Sequence, residues 1–244
     1  MFFVSDAHIG SPSNAAYKRL LLFVDHVAKG SATHLFMMGD LFEFLHGRGV
    51  YIVKKYRELF DKLERLSSKG TKIYYLYGNH DFNFNLPFDF VHCTELVDSI
   101  VIDGMKCHIS HGDGLDPKDT KYRFLRSVVR SRLFEFLCKL TPDIILYKIA
   151  EICSNTSRRI GAHKMVNENR FLCYRDHALE KLASTDLDVV VYGHTHVPDL
   201  SRLSSKKGKF KYYINPGYFG KNGTYSIIDN GTVYIGVFNN RVLP

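Results

Sequence analysis

Five short apolar runs, each ending in a polar cluster, constrain this chain more than any bulk property. Phe2–Ser5 runs into Asp6-Ala7-His8, and Leu35–Met38 into Gly39-Asp40. Ile73–Tyr77 runs into Gly78-Asn79-His80-Asp81, Cys107–Ser110 into His111-Gly112-Asp113, and Val189–Tyr192 into Gly193-His194-Thr195-His196. Short β-rich apolar runs of this kind read as strands. Because α/β proteins gather ligands at the carboxyl ends of their strands, the five clusters are expected to converge on one rim.

Further strand-like runs are Ser99–Ile102, Lys211–Ile214, Tyr225–Ile228 and Val233–Phe238. Helical spacing covers Ala15–Lys29, Tyr51–Ser68 and Glu168–Ser184. Strand–helix–strand alternation early in the chain predicts parallel pairing, whereas the Asp103-Gly104 and Asn230-Gly231 turns predict antiparallel hairpins later. The whole reads as an α/β sandwich of sheets flanked by helices, one domain over residues 1–244. From about residue 122 to 164 strand signals give way to a helical pattern through Phe124, Val128, Leu133, Phe136 and Leu140, which predicts an inserted helical lid. Thr141-Pro142-Asp143 stops and restarts that pattern, so two helices joined by a tight turn are expected.

A chain of 244 residues with 45% apolar content can bury a full core, so disorder is not expected. Five cysteines, widely spaced and without a CxxC pair, argue for buried thiols in a reducing compartment. No apolar run approaches the ~20 residues that cross a bilayer, and the N-terminus lacks a secretory pattern, which points to a cytoplasmic location with at most peripheral membrane contact. A net charge of +8 favours an anionic partner: a phosphorylated small molecule, an acidic lipid surface or nucleic acid. Nucleic acid is disfavoured because the basic residues gather on the lid and do not interleave with aromatics along a groove. Oligomeric state is not legible.

The polar clusters combine imidazole with carboxylate, a donor set that suits Mn²⁺, Fe, Zn²⁺ or Co²⁺ better than Mg²⁺ or Ca²⁺. Two such ions about 3.5–4 Å apart can clamp the attacking and leaving oxygens of an in-line displacement. A bridging carboxylate is then required, and the bare Gly39-Asp40 at a strand end supplies one. His80 stands beside Asn79 without being an obvious ligand and suits a general acid for the leaving oxygen, with Asp81 expected to orient its ring.

In this order the clusters resemble the signature of the calcineurin-like metallophosphoesterases: D-x-H, G-D, G-N-H-[DE], a lone H, then G-H-x-H. The resemblance covers nearly the whole chain. It implies a four-layer α/β/β/α sandwich and two divalent metal ions, Mn²⁺ foremost. One ion would be held by Asp6, His8, Asp40 and His196, the second by Asp40, Asn79, His111 and His194. His80 would then be the acid or transition-state stabiliser.

Within that family the chain is similar to the UDP-2,3-diacylglucosamine hydrolases of lipid A biosynthesis, which cleave a pyrophosphate to give UMP and a diacylglucosamine 1-phosphate. The second motif continues as Gly39-Asp40-Leu41-Phe42-Glu43, the third continues into Phe82, and a helical insertion follows the fourth. The likeness implies substrate contacts at Asp119, Tyr122, Ser157 and Lys164. The chain departs from the subfamily at His80, where Arg is usual, and at Ser154 and Gly161 in place of Arg and Asn. Basic residues beside the apolar lid pattern, among them Arg123, Arg126, Arg132 and Lys139, would face phosphate or anionic headgroups. The alternatives are a metallophosphoesterase for another phosphodiester, phosphomonoester or nucleotide, and a non-catalytic scaffold without metals.

Overall fold

The computed structural model describes residues 1–47, 50–84, 86–117, 120–129, 131–142, 144–149, 152, 168–204 and 209–239. Its strands are β1 (Phe2–Val4), β2 (His34–Met37), β3 (Leu45–Gly47), β4 (Lys72–Leu76), β5 (Asp81–Phe84), β6 (Val91–Thr94) and β7 (Leu96–Ile102). They continue with β8 (Met105–Ser110), β9 (Val189–Tyr192), β10 (Asp199–Ser204), β11 (Phe210–Asn215), β12 (Thr224–Asp229) and β13 (Thr232–Val237). The helices are α1 (Ala15–Lys29), α2 (Val50–Lys55), α3 (Arg57–Ser68), α4 (Thr120–Val129), α5 (Arg132–Leu140), α6 (144–149), α7 (Glu168–Ser184) and α8 (Phe219–Asn222).

Two mixed sheets carry the site. One has the order β13-β12-β1-β2-β4-β6, the other β10-β11-β9-β8-β7. The strands that precede the polar clusters pair in parallel, β1 with β2, β2 with β4, and β8 with β9. Their carboxyl ends therefore point the same way within each sheet. The two expected hairpins, β7–β8 and β12–β13, are antiparallel.

Strand periodicity assigns each side chain to a layer. In β2, Leu35 and Met37 pack under α1 and α3, while Phe36, and Met38 just past the strand, point into the space between the sheets. In β9, Val189 and Val191 fill that same space, and Val190 and Tyr192 pack beneath α7 with Tyr174, Ala178 and Leu182. Helix, sheet, sheet and helix thus form the four-layer α/β/β/α sandwich, and the apolar runs are continuous because both faces of each sheet are covered. α1 starts at Asn14, whose side chain accepts from the Ala16 N–H at 2.8 Å.

Two local departures from the expected helices have visible causes. The segment 51–68 breaks into α2 and α3 at Tyr56, which leaves helical geometry at φ −119° and ψ 35°. The break lets its ring bury between Phe42 and Tyr17, at centroid distances of 4.8 and 5.2 Å. In the insertion, Ser131 interrupts the helical pattern by capping α5 through the Phe134 N–H, so three helices, α4, α5 and α6, stand where two were expected. α5 ends at Leu140, before Pro142. Thr141 bonds back to the Leu137 carbonyl at 2.9 Å, and Asp143 lies outside the described residues.

Phe36 is fully buried and stacks on Phe3 at 5.0 Å in the layer between the sheets. Phe36→Ala is expected to lower unfolding free energy by about 3–5 kcal/mol, through lost transfer energy and a residual cavity. Urea unfolding followed by circular dichroism measures it, and a loss below ~1 kcal/mol would contradict the assignment of Phe36 to the inter-sheet core.

Candidate metal centre

Each polar cluster follows a strand end directly, and the backbone there is bent into conformations that side chains rarely adopt. Asp6, His8, Asp40, His194 and His196 all have φ between 45° and 65°. Asp, Asn and His tolerate this region best, yet each such residue costs of order 1–3 kcal/mol. Concentrating five of them on one rim turns their side chains towards one another.

Three donor groups result. Asp6, His8 and His196 place ligand atoms within 4.8 Å of one another, as do Asp40, His111 and His194, and likewise His8, Asp40 and His80. The Nε2 atoms of His8 and His196 stand 3.2 Å apart, and His196 Nε2 is 3.2 Å from Asp6 Oδ1. Asp6 Oδ1 is buried and makes no hydrogen bond; Asp6 Oδ2 bonds Ser5 Oγ and accepts the His194 N–H at 3.1 Å. On the other side, His111 Nε2 faces Asn79 Oδ1 at 3.3 Å, His194 Nδ1 at 3.3 Å and Asp40 Oδ2 at 3.4 Å. Imidazole nitrogens and carboxylate oxygens that converge this closely are a donor set that fits a pair of divalent transition ions. Asp40 belongs to two of the three groups, and so does His8.

The shell behind these atoms fixes their direction. His111 Nδ1 donates to the Met38 carbonyl at 2.7 Å, which turns Nε2 towards the other donors. Asn215, at the end of β11, donates to the Gly193 carbonyl and to Thr195 Oγ1 at 2.8 and 3.0 Å and accepts from the Gly217 N–H, so it holds the His194–His196 loop. The Tyr218 ring packs on His196 at 4.5 Å and on His8 at 5.6 Å. Asn215 and Tyr218 are missing from the sequence reading, although Asn215 repeats the pattern of a polar residue ending an apolar strand.

Charge follows geometry. Burial holds His8 neutral, with its pKa lowered to about 4. Burial also opposes ionisation of Asp6, but His196 and His111 outweigh it and bring Asp6 down to about 2. In Asp40 the same contest against burial is won by His111, His80 and His8, which keep it a carboxylate. His80 is raised despite burial, chiefly by Asp40 and by the bond from its ring Nδ1 to the Glu43 carbonyl at 2.8 Å.

That bond corrects one expectation. Asp81 does not orient the His80 ring; the Glu43 carbonyl does. The Asp81 carboxylate accepts instead from the backbone N–H groups of Asp40 and Gly78, at 2.9 and 2.8 Å, and from Tyr75 Oη at 3.0 Å. It staples the Gly-Asp loop to the Gly-Asn-His loop. Of the expected substrate contacts, Asp119, Ser157 and Lys164 lie outside the described residues, and of Tyr122 only its backbone position in α4 is described.

The glycines in these loops are required by close approach. A Cβ on Gly78 would collide with the Asp40 carboxylate, and one on Gly193 with Ser5 Oγ. The motif residues 1–198 match the family model of the calcineurin-like phosphoesterases.

The chain belongs to the calcineurin-like phosphoesterase family. It is a hydrolase, and the family's divalent ions fit the Asp and His groups described above. Among curated relatives, the UDP-2,3-diacylglucosamine hydrolase of Aliivibrio fischeri is 30% identical over 213 residues, 82% of each chain. That of Pseudomonas putida is 28% identical over 82% of this chain and 83% of its own, and that of Blochmanniella pennsylvanica 26% over 88% and 86%. Among solved structures, a dimetal phosphatase from Danio rerio is matched over 98% of both chains at 11% identity and a TM-score of 0.45.

Gly78→Ala is expected to displace the Asp40 carboxylate and reduce Mn²⁺ affinity at least ~10-fold, in the range seen when groups supporting metal ligands are lost. Titration with Mn²⁺ followed by calorimetry measures this, and unchanged affinity would show that Gly78 does not set the position of Asp40.

Proposed function

We propose that this phosphoesterase hydrolyses the pyrophosphate of UDP-2,3-diacylglucosamine, giving UMP and a diacylglucosamine 1-phosphate. The observation that carries the chemistry is the convergence of three Asp and His donor groups, two of which share Asp40. Asp6, His8, Asp40 and His196 would hold one ion, and Asp40, Asn79, His111 and His194 the other, with Mn²⁺ foremost among the metals that suit this set. When bound, such a pair supplies Lewis acidity that neutralises phosphoryl oxygens and eases deprotonation of the attacking water.

The remaining steps belong to the chain's own residues. His80 donates Nδ1–H to the Glu43 carbonyl, so Nε2 is the nitrogen that exchanges a proton with the leaving oxygen. Asp40 and the Glu43 carbonyl raise its pKa, which favours the protonated form that a general acid needs. Asp81 positions both loops through the backbone N–H groups it accepts from.

The substrate rests on the similarity to hydrolases of that name over more than four-fifths of both chains and on the character of the insertion. Phe124, Leu133, Phe136 and Leu140 are more than half exposed and lie within one short stretch of helices. Apolar side chains presented this way, with Arg123 and Arg132 beside them, suit acyl chains and an anionic membrane surface better than a helical pair folded onto its own sheet. Residues 122–164 act as a lid on a single domain, and the enzyme works in the cytoplasm at the inner membrane face. Among the described residues no helix is long and apolar enough to cross a membrane.

A second reading, hydrolysis of another phosphodiester, phosphomonoester or nucleotide, is favoured by one feature. His80 restores the general family motif where the lipid-nucleotide hydrolases usually carry Arg. Turnover of UDP-2,3-diacylglucosamine, bis-p-nitrophenyl phosphate and p-nitrophenyl phosphate with Mn²⁺ separates the two. Rapid cleavage of the lipid nucleotide is expected; an intact lipid nucleotide beside fast turnover of a soluble ester would overturn the substrate.

Two variants test the roles. Asp40→Ala is expected to abolish turnover and lower metal content, measured by elemental analysis. His80→Ala is expected to reduce turnover by roughly 10²–10⁴-fold, the size of a general-acid contribution, with metal content unchanged. Loss of metal in His80→Ala would make His80 a ligand and not an acid.

A further inference from the structure

Beside the metal groups lies a cavity of about 470 Å³ that begins at His8 and Glu43 and runs out between α2 and α6. Its size falls within the ~300–1,000 Å³ typical of small-molecule sites. The outer wall is aromatic: the Tyr51 and Tyr147 rings stack at 4.4 Å and 30°, with Phe44 edge-on to Tyr147 at 5.4 Å. Two ammonium groups border it. Lys55 Nζ lies 5.8 Å from the Tyr51 ring and donates to the Gly10 carbonyl at 3.1 Å, and Lys148 stands exposed on α6. Neither lysine is paired with a carboxylate among the described residues.

We infer that this cavity binds the nucleoside monophosphate arm of the substrate, with the phosphate between the His8 end and the lysines and the base against the Tyr51–Tyr147 wall. The assignment rests on the pyrophosphatase reading above and adds a direction to it, because it says which arm of a two-armed substrate lies on which side of the metals. Alkyl chains would desolvate both ammonium groups without returning a counter-charge, which is costly. A phosphate returns charge-assisted hydrogen bonds to them, and a flat heterocycle finds a π surface beside it. The acyl arm is then left to a surface outside this cavity.

The test uses the full chain loaded with Mn²⁺ and measures calorimetric binding of UMP and of inorganic phosphate, with circular dichroism to confirm folding. Lys55→Met with Lys148→Ala is expected to weaken UMP by about tenfold or more, the scale of one lost charge-assisted contact. Tyr147→Ala, which changes no charge, is expected to weaken UMP severalfold and leave phosphate binding as it was. If Tyr147→Ala and the lysine double variant bind UMP as the wild type does, while the wild type cleaves UDP-2,3-diacylglucosamine, the cavity assignment is overturned and the hydrolase reading stands. Equal weakening of UMP and phosphate in Tyr147→Ala likewise overturns it, since the wall would then not contact the base. A wild type that neither binds UMP nor cleaves the lipid nucleotide overturns the substrate reading itself.

Discussion

Asp40 is held from several directions before any ligand arrives. Its N–H donates to Asp81, its carbonyl accepts the His8 N–H, its Oδ1 accepts the His80 N–H, and its Oδ2 lies 3.4 Å from His111 Nε2. A carboxylate this deeply buried would normally recover its proton. Three imidazoles around it reverse that preference and keep it ionised. The rest of the site is arranged about this fixed negative charge. β1, β2 and β4 bring residues from one sheet, β8 and β9 from the other, and the covered faces of both sheets make the arrangement rigid.

Much of the scaffold is legible in the residue pattern because burial on both faces leaves a strong signal. β9 is the apolar run Val189–Tyr192, and α1 and α7 have the bounds their spacing implies. β6 and β10 leave no such signal, since they are sheet edges: Val91–Thr94 and Asp199–Ser204 bury only alternate or terminal side chains. β3 and β5 are too short to show periodicity. The split between α2 and α3 depends on the buried pocket for Tyr56, which only the assembled core provides.

The site divides in the same way. Asp6, His8, Asp40, Asn79, His111, His194 and His196 stand out because polar side chains interrupt apolar strands, and the fold brings them to one rim. The partner of His80 was not legible: a backbone carbonyl carries no residue identity, so Glu43 is anonymous in that role while Asp81, adjacent in sequence, invites the wrong pairing. Asp81 serves the backbone instead, a role that needs knowledge of how two loops approach. Sequence names the donors well because their chemistry is in their side chains, and names their supports poorly because support is a matter of position.

The central claim is that these side chains hold two ions close enough to share Asp40. Electron paramagnetic resonance of the Mn²⁺-loaded protein, combined with stoichiometry from equilibrium dialysis, tests it most directly. Two ions per chain with an exchange-coupled spectrum are expected. A spectrum of isolated ions, or saturation below one ion per chain, would contradict it.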